Sequence, residues 1–291
     1  MKHAFFIVVV LLLALISIGA GRQQATFRSG AATVAVYVRV VDRTGRLVPD
    51  LQRTDFQVLE DGRPVEVQQF SSDPQPMVAV LMLDMSGSMV ARVVRVRDAA
   101  RAFVEAVRSG DRVRIGTFGT EIAISPEPTD RGDALRRILH EELWPGGGTP
   151  LWNALHEAMT VQDDETGRRV VLTLTDGENS TSLPGRMGTP EAVEQKAIRD
   201  DFMMYAIGLE GAPIEGRLVR LVEQSGGAHF ELKRDAELPA AFARVAEELR
   251  GQYLLGFKPS ALDNKLHRID VRVRRAGLTA RARRSYLAVA R

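Results

Sequence analysis

Five oxygen-bearing side chains stand where an apolar run or a glycine run of the sequence ends. Three of them follow one apolar run, one follows three glycines, and one follows a second apolar run; they are Asp84, Ser86, Ser88, Thr149 and Asp176. Carboxylates and hydroxyls are hard oxygen donors, which suit Mg²⁺, Mn²⁺ or Ca²⁺ and do not suit zinc. We therefore expect these five residues to bind one divalent cation, with Mg²⁺ as the first candidate.

The segments that carry these residues predict an open, doubly wound α/β sheet that is mostly parallel. The apolar runs 78–83, 170–174 and 202–209 have the composition of strands buried on both faces. Between them lie segments whose apolar residues recur every three or four positions, which predicts helices on both faces of the sheet. In such a sheet, ligands bind beyond the carboxyl ends of the strands, where Asp84 and Asp176 are expected.

The segments on either side of the sheet alternate between apolar and polar residues, which is typical of half-buried strands. Val34, Val36, Val38 and Val40 alternate near the N-terminus, and Asp61-Gly62 between two alternating segments predicts a tight hairpin. The alternation returns after the last predicted helix. Because isolated hairpins are only marginally stable, the two outer segments are expected to pair into one antiparallel β module.

These patterns give the predicted domain organisation. We expect a signal peptide over 1–21, an N-terminal β segment over 30–72, an α/β domain over 76–250 and a C-terminal β segment over 251–288 that pairs with 30–72.

The N-terminus has the order of a secretory signal: Lys2 and His3, an apolar run over 4–18, and small residues at 19–21. The apolar run is shorter than the roughly 20 residues of a membrane span, which favours cleavage over anchoring. No A-x-A cleavage site is present, so an uncleaved anchor stays an alternative. We expect export to the periplasm or to the cell exterior, with membrane contact only through an uncleaved leader.

Composition excludes several classes of function. The 291 residues suffice for one large and one small domain, and the net charge of +2 gives no support to nucleic-acid binding. The chain has no cysteine, which excludes a disulfide framework and thiolate metal sites. Most of the C-terminal arginines are expected on a solvated face of alternating strands; the six are Arg272, Arg274, Arg275, Arg281, Arg283 and Arg284.

Helix capping is the alternative explanation for the hydroxyls. Serine and aspartate favour helix N-caps, and Thr149 precedes Pro150, a residue that suits the first position of a helix. Oxygen side chains at three matching strand or loop ends nevertheless favour a metal site over three separate caps.

Three short motifs together resemble the metal-ion-dependent adhesion site of von Willebrand factor type A domains. They are Asp84-x-Ser86-x-Ser88, Gly148-Thr149-Pro150-Leu151 and Thr175-Asp176-Gly177. The resemblance extends roughly over residues 77–250 and implies that Ser86, Ser88 and Thr149 bind the cation directly, while Asp84 and Asp176 act through water. Three neutral hydroxyl ligands would leave the cation electrophilic at an open position, which favours a carboxylate from a partner protein.

The outer segments resemble a bacterial exported family in which a type A domain lies between two β segments. The matching stretches are Val40-Val41-Asp42-x-x-Gly45, 55–62, 252–257 and 267–269. Ser285 stands where this family pattern leads us to expect glycine.

The leading functional hypothesis is a non-enzymatic, metal-dependent protein-binding module for adhesion or assembly, whose partner offers an Asp or Glu to the metal. The alternatives are a metal-dependent hydrolase that uses the same site and a structural envelope protein with an inactive site. The sequence lacks a phosphate-binding loop and a Gly-x-Ser-x-Gly elbow, and no base can be assigned to Ser86 as a nucleophile.

Overall fold

The computed structural model of the protein describes residues 33–289 except 142, 178, 186 and 212, so the expected leader over 1–21 lies outside the described residues. The N-terminal segment forms four strands: β1 (Val34–Val41), β2 (Phe56–Glu60), β3 (Arg63–Val65) and β4 (Val67–Ser71). The alternating valines of β1 are buried on one face, as their spacing predicts. Asp61 and Gly62 both have positive φ, which closes the predicted hairpin between β2 and β3.

The central sheet is built from the apolar runs. Its strands are β5 (Met77–Asp84), β6 (Arg112–Phe118), β7 (Ile122–Ile124), β8 (Arg168–Thr175), β9 (Phe202–Gly208) and β10 (His229–Glu231). They lie in the order β10-β9-β8-β5-β6-β7, all parallel except β7, which is antiparallel to β6. The chain leaves β5 toward β6 and leaves β8 toward β9, in opposite directions. The ends of β5 and β8 therefore form the topological switch point of the sheet, where ligands bind in such folds.

Six helices cover the two faces of this sheet. They are α1 (Val93–Glu105), α2 (Gly132–Glu141), α3 (Leu151–Thr160), α4 (Pro190–Arg199), α5 (Gly216–Gln224) and α6 (Leu238–Arg250). Buried side chains of α1, α2 and α6 pack on one face, and those of α3, α4 and α5 pack on the other. Within the part of the chain that the structure describes, no helix has the length and apolar character needed to cross a membrane.

The C-terminal segment completes two antiparallel sheets with the N-terminal segment. Its strands are β11 (Tyr253–Phe257), β12 (Leu266–Val273), β13 (Thr279–Arg281) and β14 (Ser285–Leu287). The strand orders are β13-β1-β11-β4 and β14-β12-β2-β3, so both ends of the chain contribute to each sheet. This arrangement confirms the predicted fold class, an open α/β sheet with a flanking antiparallel β module formed by the two outer segments.

The last part of the C-terminal segment is divided between two sheets. The stretch over 278–287 forms β13 and β14, which belong to different sheets. Between them the chain passes α5, where the N–H of Arg284 donates to the carbonyl of Gln224 at 2.9 Å. This contact with the helix interrupts the strand, and local alternation alone gives no sign of it.

Four of the six C-terminal arginines are exposed, and the other two, Arg281 and Arg283, are half-buried. Arg281 Nη2 lies 2.6 Å from the carboxylate of Glu248, a residue of α6 that is 2% exposed. Arg283 pairs with Asp201 and also donates to the backbone carbonyl of Ala35. Both arginines connect the outer strands to the α/β domain, because acidic side chains of that domain lie beneath them.

Candidate metal site

Asp84 is the last residue of β5 and lies at the switch point with its side chain fully buried. Its Oδ1 accepts a hydrogen bond from the backbone N–H of Ser86 at 2.9 Å, and its Oδ2 accepts one from the Thr175 hydroxyl at 2.7 Å. Burial raises the pKa of Asp84, the hydrogen bonds from Ser86 and Thr175 oppose that rise, and the charge of Asp176 adds to it. None of these neighbours is cationic. Asp84 is thus a buried carboxylate beside a second carboxylate, an arrangement that a bound cation would stabilise.

Ser86, Ser88 and Asp176 form a continuous hydrogen-bonded group beside Asp84. The hydroxyls of Ser86 and Ser88 are 3.0 Å apart, and Ser88 Oγ donates to Asp176 Oδ1 at 2.9 Å. The Asp176 side chain is 3% exposed. The segment after β5 and the segment after β8 therefore present hydroxyl and carboxylate oxygens to the same point, as the parallel register predicts.

The glycine loop lies directly against the segment that follows β5. Gly87 N–H donates to the carbonyl of Gly147 at 2.9 Å, and Gly146 N–H donates to the carbonyl of Met85 at 2.7 Å. Gly147 has a φ of +75°, and a Cβ at this position would lie 2.6 Å from the backbone nitrogen of Thr120. A side chain at residue 147 would therefore prevent this close backbone approach.

Thr149 is connected to the loop that carries Asp176. Its backbone N–H donates to Ser180 Oγ at 2.8 Å, and its carbonyl accepts from the N–H of Ser180 at 3.1 Å. Thr149 is 6% exposed. The backbone contacts thus place all three candidate segments side by side at the end of β5.

The capping alternative does not account for the hydroxyls. Ser86 is the N-cap residue of a short 3-10 turn over Gly87–Met89, but its side chain makes no capping hydrogen bond. Arg92 occupies the N-cap of α1, and Pro150 occupies the N-cap of α3 instead of the expected first helical position. No side chain makes a capping hydrogen bond at the start of either helix.

Arg92 belongs to this site, although none of the three sequence motifs includes it. Its Nη1 lies 3.0 Å from Asp176 Oδ2, and its Nε lies 3.0 Å from Asp235 Oδ2. Because these partners are far apart in the chain, no local spacing could have indicated the contacts. Among the described residues, no three side chains of the His, Cys, Asp and Glu types converge to hold a metal. The candidate site instead combines two carboxylates with hydroxyls.

Residues 79–178 match the family model for the von Willebrand factor type A domain, and this range includes all five candidate residues. The chain contains a von Willebrand factor type A domain. The predicted resemblance to type A domains is therefore confirmed, and the five candidate residues remain a prediction within that domain.

Solved structures of type A proteins share the fold. A von Willebrand factor type A protein from Catenulispora acidiphila superposes with a TM-score of 0.54 at 13% identity, covering 90% of this chain and 76% of that one. Proximal thread matrix protein 1 from the mussel byssus, in a structure with a zinc-occupied MIDAS motif, gives a TM-score of 0.54 at 15% identity. That match covers 66% of this chain and 50% of the mussel protein. At these identities the likeness shows the fold alone.

Proposed function

We propose that this protein is a non-enzymatic binding module that holds a partner protein through one divalent cation. The cation would be bound by the hydroxyls of Ser86, Ser88 and Thr149, with Asp84 and Asp176 acting through water. The observation that carries this proposal is the environment of Asp84, a fully buried carboxylate whose charged neighbour is a second carboxylate. Burying such a group is costly without a compensating positive charge, which a divalent cation supplies.

The donor set favours Mg²⁺, with Mn²⁺ and Ca²⁺ as alternatives, because all five side chains offer hard oxygen atoms. The mussel protein carries zinc at its motif, so zinc belongs among the ions to be compared. We expect Mg²⁺ and Mn²⁺ to compete with zinc at this site, since no thiolate or imidazole belongs to the proposed ligand set.

The partner is expected to contribute an Asp or Glu side chain. Neutral hydroxyl ligands leave the cation most of its charge, and an incoming carboxylate can replace one of its waters. The N-terminal ends of α1 and α3 follow Ser88 and Thr149 in the chain, and helix N-termini add partial positive charge. An anionic side chain is therefore the group best attracted to the open position.

Metal titration of Asp84→Asn tests the site. We expect the wild-type protein to bind Mg²⁺ and Mn²⁺ in calorimetry and the variant to lose this binding, with circular dichroism showing that it remains folded. Asp98→Asn is the matched control, because Asp98 lies on the surface of α1 with its side chain 62% exposed. Unchanged affinity in Asp84→Asn would refute the site. Turnover of a phosphoester or peptide substrate that Ser86→Ala abolishes would favour the hydrolase alternative.

We also propose that the protein is exported, on the strength of the leader pattern over 1–21. The remaining predicted ranges, 30–72, 76–250 and 251–288, would then form the mature protein. Fractionation of cells that produce the chain with and without residues 1–21 tests this proposal. Cytoplasmic retention of the complete chain would contradict it, and retention of the complete chain in the membrane would favour an uncleaved anchor.

A further inference from the structure

Large apolar side chains are exposed around the candidate metal site. Six such side chains are exposed in the described part of the chain, and four of them belong to segments that adjoin the candidate ligands. These four, which we call the apolar rim, are Val90, Val94, Trp144 and Met187. Their exposed fractions lie between 63% and 80%. Exposed apolar groups that gather around one feature commonly mark an interaction surface.

Val90 and Val94 lie on one side of the site. Val90 comes two residues after Ser88, and Val94 follows one helical turn later, in α1. Ser88 is a candidate ligand, and its Oγ donates a hydrogen bond to a second one, Asp176. This first part of the rim therefore adjoins the candidate ligands.

Trp144 continues the rim on the same side. Its indole Nε1 donates to the carbonyl of Glu141 at 3.1 Å, which holds the ring next to the end of α2. A hydrogen bond joins the end of α2 to α1, since Arg97 Nε donates to the carbonyl of Leu139 at 2.9 Å. After Trp144 the chain enters the glycine loop that leads to Thr149.

Met187 lies on the opposite side, in the segment that connects Asp176 to α4. Its carbonyl accepts a hydrogen bond from Asn153 Nδ2 at 3.0 Å, which places it beside the start of α3. It also lines an open cavity of about 630 Å³ together with Trp152 and Ser182.

We propose that the apolar rim contacts the residues that flank the metal-bound carboxylate of the partner. The recognised element would then be a protein segment in which an Asp or Glu stands next to large apolar or aromatic residues. This inference rests on the proposed function and specifies the partner's chemistry. Any acidic segment can offer a carboxylate to a metal, so selectivity requires further contacts, and buried aromatic anchors are a common source of them.

The chemistry enclosed by the rim favours such a segment over a lipid surface. The rim adjoins a site of two carboxylates and three hydroxyls, and covering polar groups with hydrocarbon costs free energy because hydrocarbon offers them no hydrogen bonds. A partner segment can cover the rim with its apolar side chains while its own carboxylate meets the cation.

A displayed library of random heptapeptides, bound to the protein in Mg²⁺ and released with EDTA, tests the inference. We expect the released peptides to be enriched in an acidic residue with adjacent aromatic or large aliphatic residues. The affinity of one synthetic peptide from this set should fall about tenfold with Trp144→Ser and also fall with Met187→Ser. Mg²⁺ affinity should stay unchanged in both variants. Leu262→Ser with Leu266→Ser is the matched control, because these exposed leucines lie in the β module.

Four outcomes would overturn the inference. Released peptides that share an acid but no apolar neighbour, or equal affinity for wild type and Trp144→Ser, would leave the proposed function standing and remove the role of the rim. Metal-independent binding to phosphatidylglycerol vesicles that Trp144→Ser abolishes would assign the rim to a membrane surface. A library that yields no EDTA-released peptide would count against the rim and the proposed function together.

Discussion

Arg92 Nη1 lies 3.0 Å from Asp176 Oδ2 and fixes one oxygen of that carboxylate. The same guanidinium contacts Asp235 through Nε and donates to the carbonyl of Glu210 through Nη2. The other oxygen of Asp176 accepts from Ser88. A planar group held by three partners has little freedom to turn, so Arg92 orients Asp176 toward the candidate metal ligands.

Arg92→Lys should weaken Mg²⁺ binding about tenfold, in line with the effect of other residues that orient metal ligands. Lysine keeps the positive charge but lacks the planar fork of donors. The substitution therefore tests the hydrogen-bond geometry around Asp176 without removing the charge. Calorimetry of the variant measures the effect. Arg95→Lys is the control, because Arg95 is 66% exposed on the same helix and lies 3.6 Å from Asp235. Equal Mg²⁺ affinity in wild type and Arg92→Lys would show that Asp176 needs no such support.

Gly147→Ala should destabilise the loop that presents Thr149 and lower metal affinity. The added Cβ would meet the backbone of Thr120, in addition to the strain of a positive φ. Gly167→Ala provides the control, because Gly167 also has a positive φ but its Cβ would enter open space. Gly167→Ala should lower the free energy of unfolding by about 1 kcal/mol through backbone strain alone, and Gly147→Ala should lower it further. Urea unfolding with and without Mg²⁺ measures the stability of both variants. An identical loss of stability in Gly147→Ala and Gly167→Ala would show that the close approach to Thr120 does not matter.

His267 should make the stability of the β module depend on pH. Hydrogen bonds to Asp263 and Asp61 raise its pKa, although desolvation opposes the rise. Because the folded pKa lies above the unfolded value of about 6.5, the stabilisation is complete below that value and is lost as pH rises through the folded pKa. The difference in urea stability between wild type and His267→Gln should therefore be larger at about pH 5.5 than at about pH 9. A difference that is constant over this range would contradict the prediction.

Removing residues 252–291 should expose β1 to hydrogen exchange. β1 pairs with β11 and with β13, and the truncation removes both neighbours. Hydrogen exchange of the backbone amides over 34–41 measures the loss. A shorter truncation of 285–291 is the control, since it removes only β14, which pairs with β12. Full protection of β1 after the longer truncation would show that the two outer segments fold independently.

The sequence predicted the features of this protein that depend on local pattern. The apolar run before Asp84 and the run before Asp176 indicated buried parallel strands, and the ends of parallel strands share one edge of a sheet. Side-by-side placement of β5 and β8 depends on the strand order, which periodicity does not encode. The family resemblance supplied that missing link, because it brought the three motifs into one expected site.

Contacts that join distant segments could not be predicted in the same way. Arg92 reaches Asp235 across 143 positions, and Arg281 reaches a glutamate of α6. In the sequence these arginines look like ordinary surface charges, since charged side chains are mostly exposed to solvent. Only tertiary structure reveals that acidic partners lie within reach.

The β module also sets an order for biosynthesis. Val38 of β1 pairs with Tyr253 of β11, so one of the first described strands to leave the ribosome must wait for one of the last. A chain that stops within the α/β domain has β1 without either neighbour, and unpaired strand edges are sites where chains aggregate. Incomplete products of this protein should therefore be more prone to aggregation than the finished chain, even when their central sheet is whole.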